Sequence, residues 1–153
     1  MKRVAFIPLF LIAMTAGTAR ADALYEVSKT EPKLAVGGTG TATLTLKAKG
    51  GWHLNAEAPI TVALTAPAGV TVPKPKLSRA DLATSSADSA RFDIKLSATE
   101  AGKKSIAAEA RFVICQESAC KPVKETLSLA VDVTAPPPAT PPAAAPKKKN
   151  KKS

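Results

Sequence analysis

An all-β sandwich is the fold that this sequence predicts, and three observations carry the prediction. From Ser105 to Ile114 and again from Val123 to Val133 apolar and polar residues alternate, and a period of two marks a half-buried strand. The same alternation recurs in shorter runs at Thr39 to Ala48, Ile60 to Thr65 and Arg91 to Leu96. Turn formers separate the runs, at Gly37-Gly38, Gly50-Gly51, Pro67-Ala-Gly69 and Ala101-Gly102. Short strands joined by regular turns pack as two sheets, and a chain of 153 residues supports one modest core.

The elements follow in order. Lys2 and Arg3 precede an apolar run from Val4 to Ala16, and Ala19-Arg20-Ala21 offers small residues to a signal peptidase, so residues 1–21 read as a signal peptide. Cleavage falls after Ala21, with Ala23 as the near alternative. The run contains Pro8 and is too short to span a bilayer, so the mature protein is expected to be periplasmic or otherwise exported, with no transmembrane segment. One domain then occupies residues 22–134. In it Leu24 to Lys29 and Val70 to Val72 are weaker strand candidates, Trp52 and Leu54 are expected inside, and Ser78 to Ala90 reads as a loop with one helical turn at Arg79 to Ala83. Residues 135–153 begin as Ala-Pro-Pro-Pro-Ala-Thr-Pro-Pro, which has little to bury and many blocked amides, and this is expected to be an extended, disordered Pro/Ala spacer with a basic end.

Charge excludes some partners. The chain has 22 Lys and Arg against 12 Asp and Glu. Three of the basic residues, Lys2, Arg3 and Arg20, leave with the leader, and five more, Lys147, Lys148, Lys149, Lys151 and Lys152, lie in the tail. The domain is therefore nearly neutral. With four Phe, one Tyr and one Trp in the whole chain, it offers no basic, aromatic face for nucleic acid. Weak contact of the lysine tail with anionic envelope polymers is the remaining electrostatic expectation.

The two cysteines of the chain, Cys115 and Cys120, interrupt the longest alternating stretch. If Gln116 to Ala119 form a four-residue hairpin loop, Cys115 stands opposite Cys120, Phe112 opposite Val123, Ala108 opposite Leu127 and Ile106 opposite Leu129. The apolar faces then coincide, and a slip of one residue would turn one set to solvent. Directly opposed residues lie at a separation that a disulfide can bridge. The register places both cysteines at the tip, on the face of Arg111 and Lys124. A bridge there is either an ordinary structural disulfide of an exported protein or an exchangeable one that another thiolate reaches; Lys121 beside Cys120 reads first as a solvated surface charge and second as a charge that stabilises the thiolate.

The order of these landmarks carries a resemblance. Gly51-Trp-His-Leu-Asn55, a Pro-bearing strand, the Pro-Ala-Gly turn and the closing Phe-x-x-Cys-x4-Cys-x-Pro hairpin resemble the N-terminal periplasmic domain of the thiol:disulfide interchange protein DsbD, over roughly Leu24 to Val133. The resemblance implies an immunoglobulin-like sandwich with a redox-active pair that passes reducing equivalents to exported partners, thioredoxin-like or other redox proteins of the envelope. By position, Cys120 matches the cysteine that forms the mixed disulfide and Cys115 its resolving partner. Two departures stand out. The family's full-length transporter continues into a membrane electron carrier and a thioredoxin-like domain where this sequence has the spacer and lysines, and the loop that shields the family's cysteines carries an aromatic cap absent from Ser78 to Ala90.

Other chemistry has little support. His53 is the single histidine and both methionines lie in the leader, so neither a zinc set nor a copper-trafficking cluster is expected, and His53 reads as a strand or turn residue. No Gly-rich phosphate loop is present. No cofactor, no metal and no enzyme activity beyond thiol exchange is expected; the competing reading is a non-catalytic envelope binding module with a structural disulfide.

Overall fold

The structure is a computed structural model and describes residues 24–135; the expected signal peptide and the expected Pro/Ala/Lys spacer and tail fall on residues outside these. Among the described residues eleven strands make two sheets: β1 (Tyr25–Lys29), β2 (Lys33–Ala35), β3 (Thr39–Ala48), β4 (His53–Leu54), β5 (Thr61–Thr65), β6 (Val70–Thr71), β7 (Lys76–Ser78), β8 (Leu82–Ser85), β9 (Ser89–Ala98), β10 (Gly102–Gln116) and β11 (Ala119–Thr134). One sheet runs β1-β3-β9-β6, with β8 also on β9; the other runs β2-β11-β10-β5-β7, with β4 also on β10. All the pairings are antiparallel except that of β2 with β11. The fold is an immunoglobulin-like β-sandwich.

Alternation decides which residues meet between the sheets. Leu44 and Leu46 of β3 and Phe92, Ile94 and Leu96 of β9 face Ile106, Phe112 and Ile114 of β10 and Leu129 and Val131 of β11, all buried. Tyr25 closes one side, its ring edge-on to Phe112 with centroids 5.3 Å apart and its hydroxyl donating to Glu125 Oε2 at 2.7 Å. Gly40 lets the sheets approach at the opposite end, since a Cβ there would overlap the Leu34 side chain. β2 joins only Asp132 to Thr134 of β11, pairing Leu34 with Val133.

Two expectations need correction. Ser78 to Ala90 is not a loop: a 3₁₀ turn at Arg79–Asp81 leads into β8, and β9 already begins at Ser89. β8 pairs with Phe92, Arg91 and Ala90 across an irregular register, and its residues are mostly exposed, so backbone pairing holds it where side chains give no apolar signal. Leu54 is half-buried rather than inside, whereas Trp52 is buried.

Candidate functional site

The β10–β11 hairpin has the expected register throughout: Ile106 pairs with Leu129, Ala108 with Leu127, Phe112 with Val123 and Cys115 with Cys120. Its turn is tighter than expected. Gln116 and Ala119 continue the ladder, which leaves Glu117 and Ser118 as a two-residue connection instead of a four-residue loop. Cys115 and Cys120 form a disulfide, with Cα atoms 4.0 Å apart.

The two sulfurs do not share one environment. Cys120 is exposed, but Cys115 is 6% exposed and counts with the buried residues, which corrects the expectation that both sit open at the tip. The cover comes from β4 and the residue after it. His53 pairs with Cys115 and Leu54 with Ile114; Asn55 N–H then donates to Val113 O at 2.9 Å, and Asn55 Nδ2 donates to Cys115 Sγ at 3.3 Å. β4 takes over the flank of β10 beyond Arg111, where pairing with β5 ends.

A second layer fixes this cover. Asn55 Oδ1 accepts from the backbone N–H groups of Glu57 at 2.8 Å and Ala58 at 3.0 Å, and Arg79 Nη2 donates to the carbonyls of Asn55 at 3.0 Å and Ala58 at 2.5 Å. Arg79 stands on the 3₁₀ turn, which Asp81 clamps by accepting from Ser78 N–H at 2.9 Å and Ser78 Oγ at 3.1 Å. The Lys74 ammonium beside it, then the Ser78 N–H, hold the Asp81 carboxyl below its ordinary range. Beside Asn55 opens a cleft of about 400 Å³, lined by Leu54, Pro59, Ile60, Leu82, Ala90 and Phe112 among others. The segment expected to shield the cysteines therefore holds the loop that carries Asn55.

Lys121 is exposed, as a surface charge is. Successive strand residues point to opposite faces, and the Lys121 ammonium lies 5.2 Å from the centre of the Trp52 ring, a cation–π contact on the other side of the ladder from Cys120. Farther along the cysteine face, Arg111 and Lys124 both bind the Glu109 carboxylate, at 2.6 and 3.0 Å. Lys124 first, then Arg111, hold that carboxyl below its ordinary range. The fold places His53, exposed, beside Cys115. Among the described residues no group of three or more His, Cys, Asp or Glu could hold a metal ion, and no helix is long and apolar enough to cross a membrane.

Asn55 and Arg79 went unassigned by sequence reasoning. An Asn that follows an apolar strand residue and precedes a polar turn is a signal for a side-chain-capped turn, and that signal was available for Asn55. Nothing local marked Arg79, whose partners lie 24 and 21 residues away.

No family model matches the chain, and no curated protein matches it. Among solved structures it is similar to domains 4 and 5 of the S-layer protein SbsC, at 17% identity and TM-score 0.42 over 72% of this chain and 51% of that one. This chain thus spans about half the length of that structure. It is similar to AggA, the major subunit of aggregative adherence fimbriae type I from Escherichia coli, at 11% identity and TM-score 0.38 over 72% of this chain and 95% of that one. A further similarity is to E. coli alpha-2-macroglobulin, at 15% identity and TM-score 0.47 over 72% of this chain and 7% of that one. At such values the likenesses carry no functional inference, and the sandwich rests on the strand pairing itself.

Proposed function

We propose that this chain is an exported thiol:disulfide exchange module, akin to the N-terminal periplasmic domain of DsbD, that passes reducing equivalents to partner proteins through Cys115 and Cys120. The carrying observation is the asymmetry of the bridge: Cys120 is exposed at the end of a two-residue turn and Cys115 is buried behind it. An incoming thiolate can reach one sulfur and not the other, which is what an ordered exchange requires. The leader-like N-terminus supports export, and thioredoxin-like proteins of the envelope are the partners this reading requires.

The chemistry balances in two displacements. In the reduced protein the Cys120 thiolate attacks a partner disulfide; a mixed disulfide forms and the partner's other sulfur leaves as a thiolate. Cys115, held opposite by the register, attacks Cys120 Sγ, restoring the internal bridge and releasing the partner's second thiolate. Two electrons have moved to the partner, and a dithiol partner restores them by the reverse sequence.

Cysteine replacement tests this reading. Cys115→Ser is expected to accumulate partner-linked species through Cys120, and Cys120→Ser to accumulate none. If Cys115→Ser traps nothing in the envelope that supplies the partners, the exchange role is wrong and the chain is a non-catalytic binding module with a structural disulfide.

A further inference from the structure

Asn55 is held so that only one end of its amide can face the disulfide. Its carboxamide oxygen already accepts from Glu57 and Ala58 N–H, and its backbone is fixed to Val113 O and Arg79 Nη2. A flipped amide would set its NH₂ against two N–H donors, so the hydrogen-bond network fixes the orientation. The nitrogen is left 3.3 Å from Cys115 Sγ. A disulfide sulfur is a feeble acceptor, whereas a thiolate accepts strongly. The same donor therefore interacts weakly with the closed bridge and strongly with the sulfur that appears when the bridge opens.

We infer that Asn55 is a catalytic residue of the exchange: its Nδ2–H binds the Cys115 thiolate as that sulfur leaves, and so directs attack to Cys120. The role rests on the exchange reading, while its chemistry can be measured with no partner present. A thiolate of a dithiol partner attacks Cys120 Sγ; the partner–Cys120 bond forms, the Cys115–Cys120 bond breaks, and the electron pair departs on Cys115 Sγ, where the fixed N–H meets it. The partner's second thiolate then displaces Cys120, leaving the partner oxidised and the pair reduced by two electrons. Stabilising one sulfur as leaving group selects the other as the electrophile. The donor is fixed before charge appears, as in other preorganised anion sites.

The charged and titratable side chains on the elements packed about the pair are His53 on β4, Glu57 in the Asn55 loop, Glu117 in the turn, Lys121 on β11, and, farther along the same face, Glu109, Arg111 and Lys124, with Arg79 on the turn that holds Asn55. All are common to the variants compared. In a Cys120→Ser background Cys115 is the sole thiol, and its ionisation is read from the ultraviolet absorbance of the thiolate against pH. Asn55→Ala is expected to raise its pKa by about one unit, a roughly ten-fold loss of thiolate stabilisation, as for a hydrogen bond to a charged group. Asn55→Asp keeps an acceptor for Glu57 and Ala58 but puts a carboxylate oxygen at the sulfur, and is expected to raise the pKa further. In the disulfide form, both are expected to slow reduction by dithiothreitol several-fold.

A merely structural Asn55 would give a lower melting temperature in Asn55→Ala, a silent Asn55→Asp and no change in thiol ionisation. A Cys115 pKa that moves by less than about 0.3 unit in both variants, or in Asn55→Asp alone should Asn55→Ala fail to fold, overturns the inference. That result would leave the trapping experiment on Cys115→Ser as the separate judge of exchange itself.

Discussion

Reducing the Cys115–Cys120 bridge is expected to loosen the protein only slightly, and the size of the effect follows from the loop it closes. The cysteines are five positions apart, and the chain-entropy relation gives about 2 kcal/mol of stabilisation at 25 °C for so short a loop. Residual hairpin structure in the unfolded chain would reduce the figure further. In the folded state the ladder beneath the bridge continues to Gly102 and Val133, so the hairpin does not depend on the bond. For a domain of this size the cost is a fall in melting temperature of no more than roughly 10 °C. The same energy appears in the redox equilibrium: for a two-electron couple about 2 kcal/mol corresponds to about 40 mV, by which the folded pair is harder to reduce than the same pair in the unfolded chain. Thermal melts of oxidised and reduced protein, followed by circular dichroism, and equilibration against glutathione buffers measure both sides of this cycle. Loss of cooperative unfolding on reduction, or a midpoint below about −300 mV, would refute the reasoning and mark the bridge as structural.

Other expectations follow from the packing. Tyr25 is the sole tyrosine, and its phenol is pushed up to about 12 by its hydrogen bond to Glu125, then by burial and the Glu125 charge. Because the folded value is raised, its stabilising contribution is whole below the ordinary value of 10.0 and is lost as pH climbs to about 12. An ultraviolet titration should show the late ionisation and its return toward 10.0 in Glu125→Gln; an ordinary titration in the native protein would contradict the contact. Phe92→Ala, at a fully buried site, should cost about 3 to 5 kcal/mol in denaturant unfolding, and a loss below 1 kcal/mol would mean that the sandwich interior lies elsewhere. Gly40→Ala should cost roughly 1 to 3 kcal/mol by overpacking, because the new methyl meets Leu34; an unchanged melting temperature would deny that contact.

Where a strand buries one face along its length, the sequence carried its position well. The reading of Thr39 to Ala48 coincides with β3, and the β10–β11 register was legible because a single slip would expose Phe112 or Leu129. Short, edge-bound pieces were not legible. β2 has one buried residue, Leu34, and β8 has none, so neither can produce a period. The turn was misjudged because Gln116 and Ala119 pair through backbone atoms, to which side-chain polarity is no guide. Cys115 and Cys120 were found as a pair, yet their unequal exposure was invisible from β10 and β11 alone. It is imposed by His53 and Asn55, some 60 positions earlier, and tertiary cover of that kind leaves no local trace.

The six-stranded sheet is knit at two very different chain separations, and this orders events as the protein forms. Cys115 meets Cys120 across a two-residue turn, while Leu34 meets Val133 through a parallel pairing of segments that begin and end the domain. Bringing distant segments together costs more loop entropy, and such contacts slow folding. The hairpin is therefore expected to form while the β2–β11 seam is still open, so that a newly made chain presents both sulfurs in register before β2 completes its sheet. Oxidation would then fall on a partly assembled protein. The Asn55 loop, whose contact with Cys115 spans 60 positions, is expected to close over that sulfur after the hairpin has formed, and access to that sulfur is then a property of the finished molecule rather than of the hairpin that created the bond.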